Sequence, residues 1–302
     1  MKIATTIGEM YLHTASPAEA VRSYEGTGFR YLDYSFYNDY MEKSPFMQDD
    51  ESCWIKEVEE TAAAASECGF QFVQAHAPGY NPLRKSDYER SLRAMCRSVE
   101  ACGRLHIPNI VVHTSFGQQH LYPMDKEPYF EYNRKFLLPL LQCAEKYGTN
   151  ICIENTSSKN MGSCYFPRTP EDMLDFLSFM KHPLLKCCWD TGHAVMEGRY
   201  DQTEEFRTLG SNLAAVHIHD NNALSDEHLP LYCGKLDPEA LVKALVEIDF
   251  KGFFTYEIDG FMNRVNSSGP ARKVPLEIKR ECLSFAYKTA KFLLDSYGVF
   301  EE

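Results

Sequence analysis

No run in this 302-residue chain approaches the ~20 consecutive apolar residues that a membrane-spanning helix needs, which excludes an integral helical membrane protein. The first nine residues, Met1 to Glu9, hold one lysine and no sustained apolar stretch, so no secretory signal is expected. Runs of lysine and arginine are missing as well. With 31 basic against 43 acidic residues the net charge is −12, which opposes long-range attraction to nucleic acid or an anionic membrane. No Cys-x-x-Cys occurs among the eleven scattered cysteines; the nearest two are the adjacent Cys187-Cys188. Such usage reads as reduced thiols in a cytoplasmic compartment, many of them in the core, and not as a disulfide framework. No low-complexity or Pro/Gly/Ser-rich linker divides the chain, so residues 1–302 are expected to form one domain. A hydrophobic content of 44% and a charged content of 25% are ordinary globular values, sufficient for a large core.

What is present is a rhythm. Short apolar runs, read as strands, fall at Ile3–Ile7, Phe29–Tyr34, Phe70–Ala75, Asn109–His113, Asn150–Glu154, Leu184–Trp189, Leu213–Ile218 and Phe253–Ile258. Helical patterns lie between them. Ser16-Pro17-Ala18-Glu19, Thr169-Pro170-Glu171-Asp172 and Asp237-Pro238-Glu239 each place a capping side chain before a proline at the first helical position. Further helices are expected over Glu51–Cys68, closed by Gly69, and over Asp87–Gly103, Tyr129–Tyr147, Thr203–Leu209 and Leu276–Tyr297. Strand then helix, eight times, implies parallel pairing, because parallel neighbours need crossover connections. Eight such units in this length predict an α/β fold, a closed (β/α)8 TIM barrel.

Acids and histidines stand at the strand ends. His76 ends the third strand, His113 the fourth, Glu154 the fifth, Asp190 the sixth, His217 the seventh and Glu257 the eighth. In a closed barrel all six converge on the C-terminal mouth, where barrel active sites lie. A lone strand-end acid is usually only the cap of the next helix, and a lone histidine is usually a hydrogen-bonded core residue. Six at one face are different. Buried carboxylates facing one another repel and protonate unless something positive sits between them, and a divalent cation is the natural occupant. A second histidine, His193, follows in Asp190-Thr191-Gly192-His193, and Asp226-Glu227-His228 lies beyond the seventh strand, placed to reach over the mouth.

These motifs resemble the xylose-isomerase-like barrel superfamily, which joins sugar isomerases, ketose 3-epimerases, inosose dehydratases and endonuclease IV repair enzymes. The resemblance is carried by His76-Ala77-Pro78, Ile153-Glu154-Asn155, Trp189-Asp190-Thr191-Gly192-His193, Val216-His217-Ile218-His219-Asp220 and Asp226-Glu227-His228-Leu229-Pro230. It implies that one divalent ion is held by Glu154, Asp190, His217 and Glu257, the positions that match the epimerase branch. His76, His113, His193, Asp226 and His228 fall at the further ligand positions of the three-zinc nuclease branch. The Gly-x-Gly usual after the Asp-x-His segment here reads Cys233-Gly234-Lys235.

The expected chemistry follows. One divalent ion with Glu154, Asp190 and Glu257 leaves about −1, suited to an uncharged polyol; three zinc ions with those acids and Asp226 leave about +2, suited to a phosphodiester. No basic loops are visible for gripping a DNA backbone, so no nucleic-acid partner is expected. Proton removal beside a carbonyl gives an enediolate that a divalent metal stabilises. Glu154 and Glu257 are the expected acid/base pair, and His193 the expected hydrogen-bond partner of a substrate oxygen. An oxygen-rich set with one imidazole favours Mn2+ or Mg2+, with Zn2+ or Co2+ as alternatives. Phe36 and Tyr37, in the loop after the second strand, are expected to contact a small polyol or keto-sugar, together with His76, His113 and His228. The loops Ser115–Glu127 and Ser157–Arg168 are expected to wall the mouth. The expected function is thus a sugar or sugar-phosphate isomerase or epimerase. A metal-dependent lyase on a keto-sugar or inosose is the near alternative, and an endonuclease IV-like trinuclear zinc phosphodiesterase the distant one. The reading involves no membrane and is compatible with a homo-oligomer.

Overall fold

Eight strands occur in the computed structural model, which describes residues 1–81, 88–114, 126–161, 166–262 and 273–302. They are β1 Ile3–Thr6, β2 Tyr31–Ser35, β3 Gln71–His76, β4 Asn109–Val112, β5 Asn150–Glu154, β6 Leu185–Asp190, β7 Leu213–His217 and β8 Phe254–Tyr256. Neighbours pair in parallel and in sequence order from β1 to β7, with β8 on the other side of β1. The ring closes at Ile218, whose N–H donates to Thr255 O at 2.8 Å while its carbonyl accepts from Glu257 N–H at 3.1 Å. The chain is a single-domain α/β TIM barrel, as its strand–helix rhythm implies.

The helices are α1 Pro17–Arg22, α2 Glu51–Cys68, α3 Tyr88–Arg104, α4 Lys126–Glu145, α5 Ser158–Met161, α6 Pro170–Met180, α7 Thr191–Met196, α8 Thr203–Leu209, α9 Pro238–Glu247 and α10 Leu276–Ser296. Their starts obey local chemistry. Ser16 accepts from Glu19 N–H, Asp237 accepts from Ala240 N–H, and Thr169 with Asp172 forms a reciprocal capping box. Gly69 closes α2 in the left-handed conformation, φ 73°. Helices α5 and α7 are additions to the expected set, since four and six residues are too few to show a 3.6-residue period. The expected start of α3 at residue 87 lies outside the described residues. Among the described residues, no helix is long and apolar enough to cross a membrane.

Strand periodicity builds two cores. Side chains pointing outward, among them Trp189, Leu32 and Ile153, join the helices in one large apolar cluster. Those two residues before each strand-end site residue point inward, because side chains alternate along a strand. They form a buried floor beneath the mouth: Asp33, Gln74, Val111, Cys152, Cys188, Ala215 and Thr255. One half of this floor is apolar and sulfur-bearing, the other polar, with Gln74 Nε2 donating to Val216 O at 3.4 Å. The ten described cysteines are all free, and Cys102, Cys152, Cys187 and Cys188 are buried.

Candidate metal centre at the barrel mouth

All six strand-end residues reach the C-terminal mouth. His76, Glu154, Asp190 and His217 are the last residues of β3, β5, β6 and β7, and His113 and Glu257 follow β4 and β8 directly. Asp190 and His217 are register partners. A cavity of about 560 Å³ opens there, lined in part by His76, His113, Glu154, His193, His228 and Glu257.

Glu154 is the hub. It is only 1% exposed, its Oε2 accepts from His113 Nε2 at 2.7 Å, and its Oε1 accepts from His217 Nδ1 at 2.7 Å. His217 Nδ1 also lies 3.3 Å from Glu257 Oε2, so the two glutamates converge on one imidazole nitrogen. Asp190 belongs to an adjoining group. Its Oδ1 accepts the His193 backbone N–H at 2.5 Å, capping α7, and its Oδ2 is 3.1 Å from His219 Nε2. Of the four expected ligands, Glu154, His217 and Glu257 therefore meet directly, while Asp190 sits with His193 and His219. His193 links the groups, with Nδ1 3.5 Å from Asp190 Oδ1 and 4.0 Å from Glu154 Oε1.

Three imidazoles are anchored by backbone carbonyls and turn their other nitrogen to a carboxylate. His76 Nδ1 donates to Ala77 O at 2.7 Å, His193 Nδ1 to Asn155 O at 2.9 Å, and His228 Nδ1 to Glu257 O at 2.9 Å. A carbonyl can only accept, so Nδ1 carries the hydrogen in each ring and Nε2 presents a lone pair unless a second proton binds. Each Nε2 faces a carboxylate oxygen: Glu154 Oε2 at 3.6 Å from His76, and Asp226 Oδ2 at 3.3 Å from both His193 and His228. Two acceptors facing each other repel unless a proton or a cation lies between them. Backbone-anchored imidazoles of this kind are how metal-binding histidines are oriented.

The electrostatics agree. Burial disfavours a charged His193 or His228, yet Asp190 and Asp226 beside the first, and Asp226 and Asp259 beside the second, hold both well above the usual imidazole range. Burial is likewise outweighed at His217, where Glu257 and Glu154 raise the pKa to about 10. Burial would raise Glu154, but His217 and His113 keep it well below the usual carboxylate range. The mouth holds an excess of negative charge that protons neutralise when no cation does.

Local sequence explains the placement. Asn155 clamps the end of β6, its Nδ2 donating to Asp190 O at 2.9 Å and its Oδ1 accepting Asp190 N–H at 2.6 Å. Gly192 is required by a close approach: a Cβ there would fall 1.8 Å from His219 Cε1. Asp220 pins the long loop after β7, accepting from Gly234 N–H at 2.6 Å and Leu236 N–H at 2.9 Å. A Cβ on Gly234 would meet Asn221 O at 2.3 Å, so packing demands the glycine in Cys233-Gly234-Lys235. The left-handed position of this loop is taken by Tyr232, φ 67°, and His228 is left-handed too, φ 48°.

The substrate-contact expectations divide. Tyr37 lines the cavity with its ring edge-on to His76 and His113, at 5.4 and 6.4 Å between centroids. Phe36 does not line it. Strand alternation turns Phe36 outward, where it is fully buried, stacked on Tyr34 at 4.2 Å and packed against Phe46. Of the two expected loop walls, residues 115–125 and 162–165 lie outside the described residues.

Sequence reasoning passed over His219, Asp259, Lys159 and Asp33. His219 is fully buried and stacked on His228, ring centroids 4.1 Å apart. Asp259 lines the cavity and its Oδ1 is 2.9 Å from His228 Nδ1. Lys159 lines it too, with its ammonium bonded to Ala223 O. Asp33 lies in the floor, where burial pushes its carboxyl up to about 6. Period-two spacing, from Ser35 back to Asp33 and from Glu257 on to Asp259, was the available signal.

The amino-acid sequence matches a known family profile, the xylose isomerase-like TIM barrel, over residues 21–274. The chain belongs to that family. As a xylose isomerase-like barrel it is similar to the uncharacterized protein MJ1311 of Methanocaldococcus jannaschii, 27% identical over 202 residues, which cover 65% of this chain and 67% of that one. Among solved structures it is similar to a D-tagatose 3-epimerase-like protein, with a TM-score of 0.71 at 19% identity over 99% of this chain and 100% of the other. It is also similar to D-psicose 3-epimerase with D-tagatose from Clostridium cellulolyticum H10, with a TM-score of 0.73 at 16% identity over 97% and 99%.

Proposed function

We propose that the chain is a divalent-metal-dependent isomerase or epimerase of a small polyol or keto-sugar. The observation that supports it best is the pair of glutamates, Glu154 and Glu257, converging on His217 Nδ1 at the cavity mouth beside backbone-anchored histidines. Glu154, Asp190, His217 and Glu257 would hold the ion, with Mn2+ or Mg2+ favoured by the carboxylate content. A bound divalent ion supplies Lewis-acid stabilisation, several kcal/mol, to negative charge developing on substrate oxygens.

The chain's own residues move the proton. Glu257, whose side chain is 17% exposed, is open to the cavity and removes a proton from the carbon beside the substrate carbonyl. Glu154, which meets the same imidazole nitrogen, serves the other face of the substrate, and the two exchange roles as acid and base, each contributing ~10²–10⁴-fold. His113, bonded to Glu154 Oε2, and His217, bonded to Oε1, hold that carboxylate in one orientation. His193, anchored through Nδ1, turns Nε2 to a substrate oxygen. Tyr37, edge-on to His76 and His113, walls the cavity on that side.

A second reading has a specific observation behind it. His193, Asp226, His228 and His219 form a further ligand group beside the first, so the mouth offers donors for more than one ion, as a trinuclear phosphodiesterase requires. Metal analysis separates the two. The isomerase reading expects one ion per chain after dialysis and no cleavage of a duplex with an abasic site. Three zinc ions per chain together with such cleavage would replace it with the nuclease reading.

A further inference from the structure

The outer ridge of α10 has no role in the barrel. Ile278, Phe285 and Phe292 are 46%, 50% and 72% exposed, and they recur every seven residues. Seven residues make nearly two helical turns, so the three side chains form one stripe. The opposite face already supplies the core contact through Leu283, Ala286, Ala290, Leu293 and Leu294. Two large exposed aromatics on one ridge are what an interaction surface looks like, not a normal solvated face.

The charges on the same ridge select the occupant. Glu281 and Lys288 are exposed, and among the described residues neither has an ion-pair partner, whereas the nearby Lys291 is paired with Asp295 at 2.5 Å. Glu281 and Lys288 are about 10.5 Å apart along the helix axis, too far to pair with each other. We propose that a second copy of this chain covers the stripe, its α10 antiparallel to the first across a two-fold axis near Phe285. That operator sets Ile278 opposite Phe292 of the second copy. It also brings Glu281 level, to within about 1.5 Å along the axis, with Lys288 of the second copy, and each contact occurs twice. A parallel pairing would instead oppose Glu281 to Glu281 and Lys288 to Lys288.

Sedimentation of the full chain over a concentration series tests this. The wild type should shift towards twice the monomer mass as concentration rises. E281K and K288E should each weaken dimerisation by roughly 10-fold or more, because each change removes two opposite-charge contacts and creates two like-charge ones. The double variant E281K/K288E should recover to within about 3-fold of wild type, since the pairs are re-formed with the signs exchanged. F292E, at the most exposed of the three positions, should give monomer throughout. A wild type that stays monomeric, a dimer untouched by F292E, or a double variant no better than the single ones would overturn the proposal.

Discussion

Glu257→Gln is expected to bind a substrate analogue with near wild-type affinity and to lose isomerisation by at least ~10²-fold, if proton transfer limits turnover. The substitution keeps the shape of the side chain and one carbonyl oxygen, and removes the base together with one negative charge. Glu257 opens to the cavity with its Oε2 3.3 Å from His217 Nδ1, so a neutral amide should fill the same space without displacing the imidazole. Steady-state kinetics with a parallel binding titration separates the two effects: kcat falls and analogue affinity holds. Wild-type turnover in this variant would make Glu257 a ligand only. His193, whose Nε2 is turned to the cavity by its bond to Asn155 O, would then be the next candidate base.

Glu154→Ala should act earlier, on metal binding itself. Loss of a residue that merely orients a metal ligand typically weakens affinity 10–100-fold. Glu154 is both a proposed ligand and the acceptor that orients His113 and His217, each at 2.7 Å, so a loss beyond ~10²-fold is expected. Calorimetric titration of Mn2+ into the stripped protein measures it. The alanine also leaves His113 without its acceptor and His217 with only the 3.3 Å contact to Glu257. A Glu154→Asp variant, shorter by one methylene, checks that the effect is the carboxylate and not a failure to fold: it should regain part of the affinity. Stoichiometric binding at wild-type affinity in Glu154→Ala would remove Glu154 from the ligand set.

The barrel and its mouth were legible because both follow from short-range rules. Eight apolar runs separated by capped helices dictate parallel pairing, and a strand-end position dictates a place at the mouth, as for Glu154 at the end of β5. What escaped depends on which way a side chain turns. Phe36 lies next to Tyr37 in the chain, yet alternation sends one ring into the outer core and the other over His76. Asp190 shares a register pair with His217, but its carboxylate is drawn towards His193 and His219 by the short helix α7, which six residues gave no periodicity to reveal. His219 stands two residues after His217, and the sequence alone does not show which way its ring turns. Its place depends on Gly192, whose missing Cβ leaves the room that the imidazole fills.

Deuterium wash-in followed by NMR tests the central claim most directly. The Mn2+- or Mg2+-loaded protein is incubated in D2O with a panel of ketoses, inososes and their phosphates. Proton transfer between Glu154 and Glu257 predicts that one compound takes up deuterium at a single carbon next to its carbonyl, that the uptake requires the ion, and that Glu257→Gln abolishes it. No uptake by any member of the panel, or uptake that persists unchanged in both Glu257→Gln and Glu154→Gln with metal bound, would contradict the account.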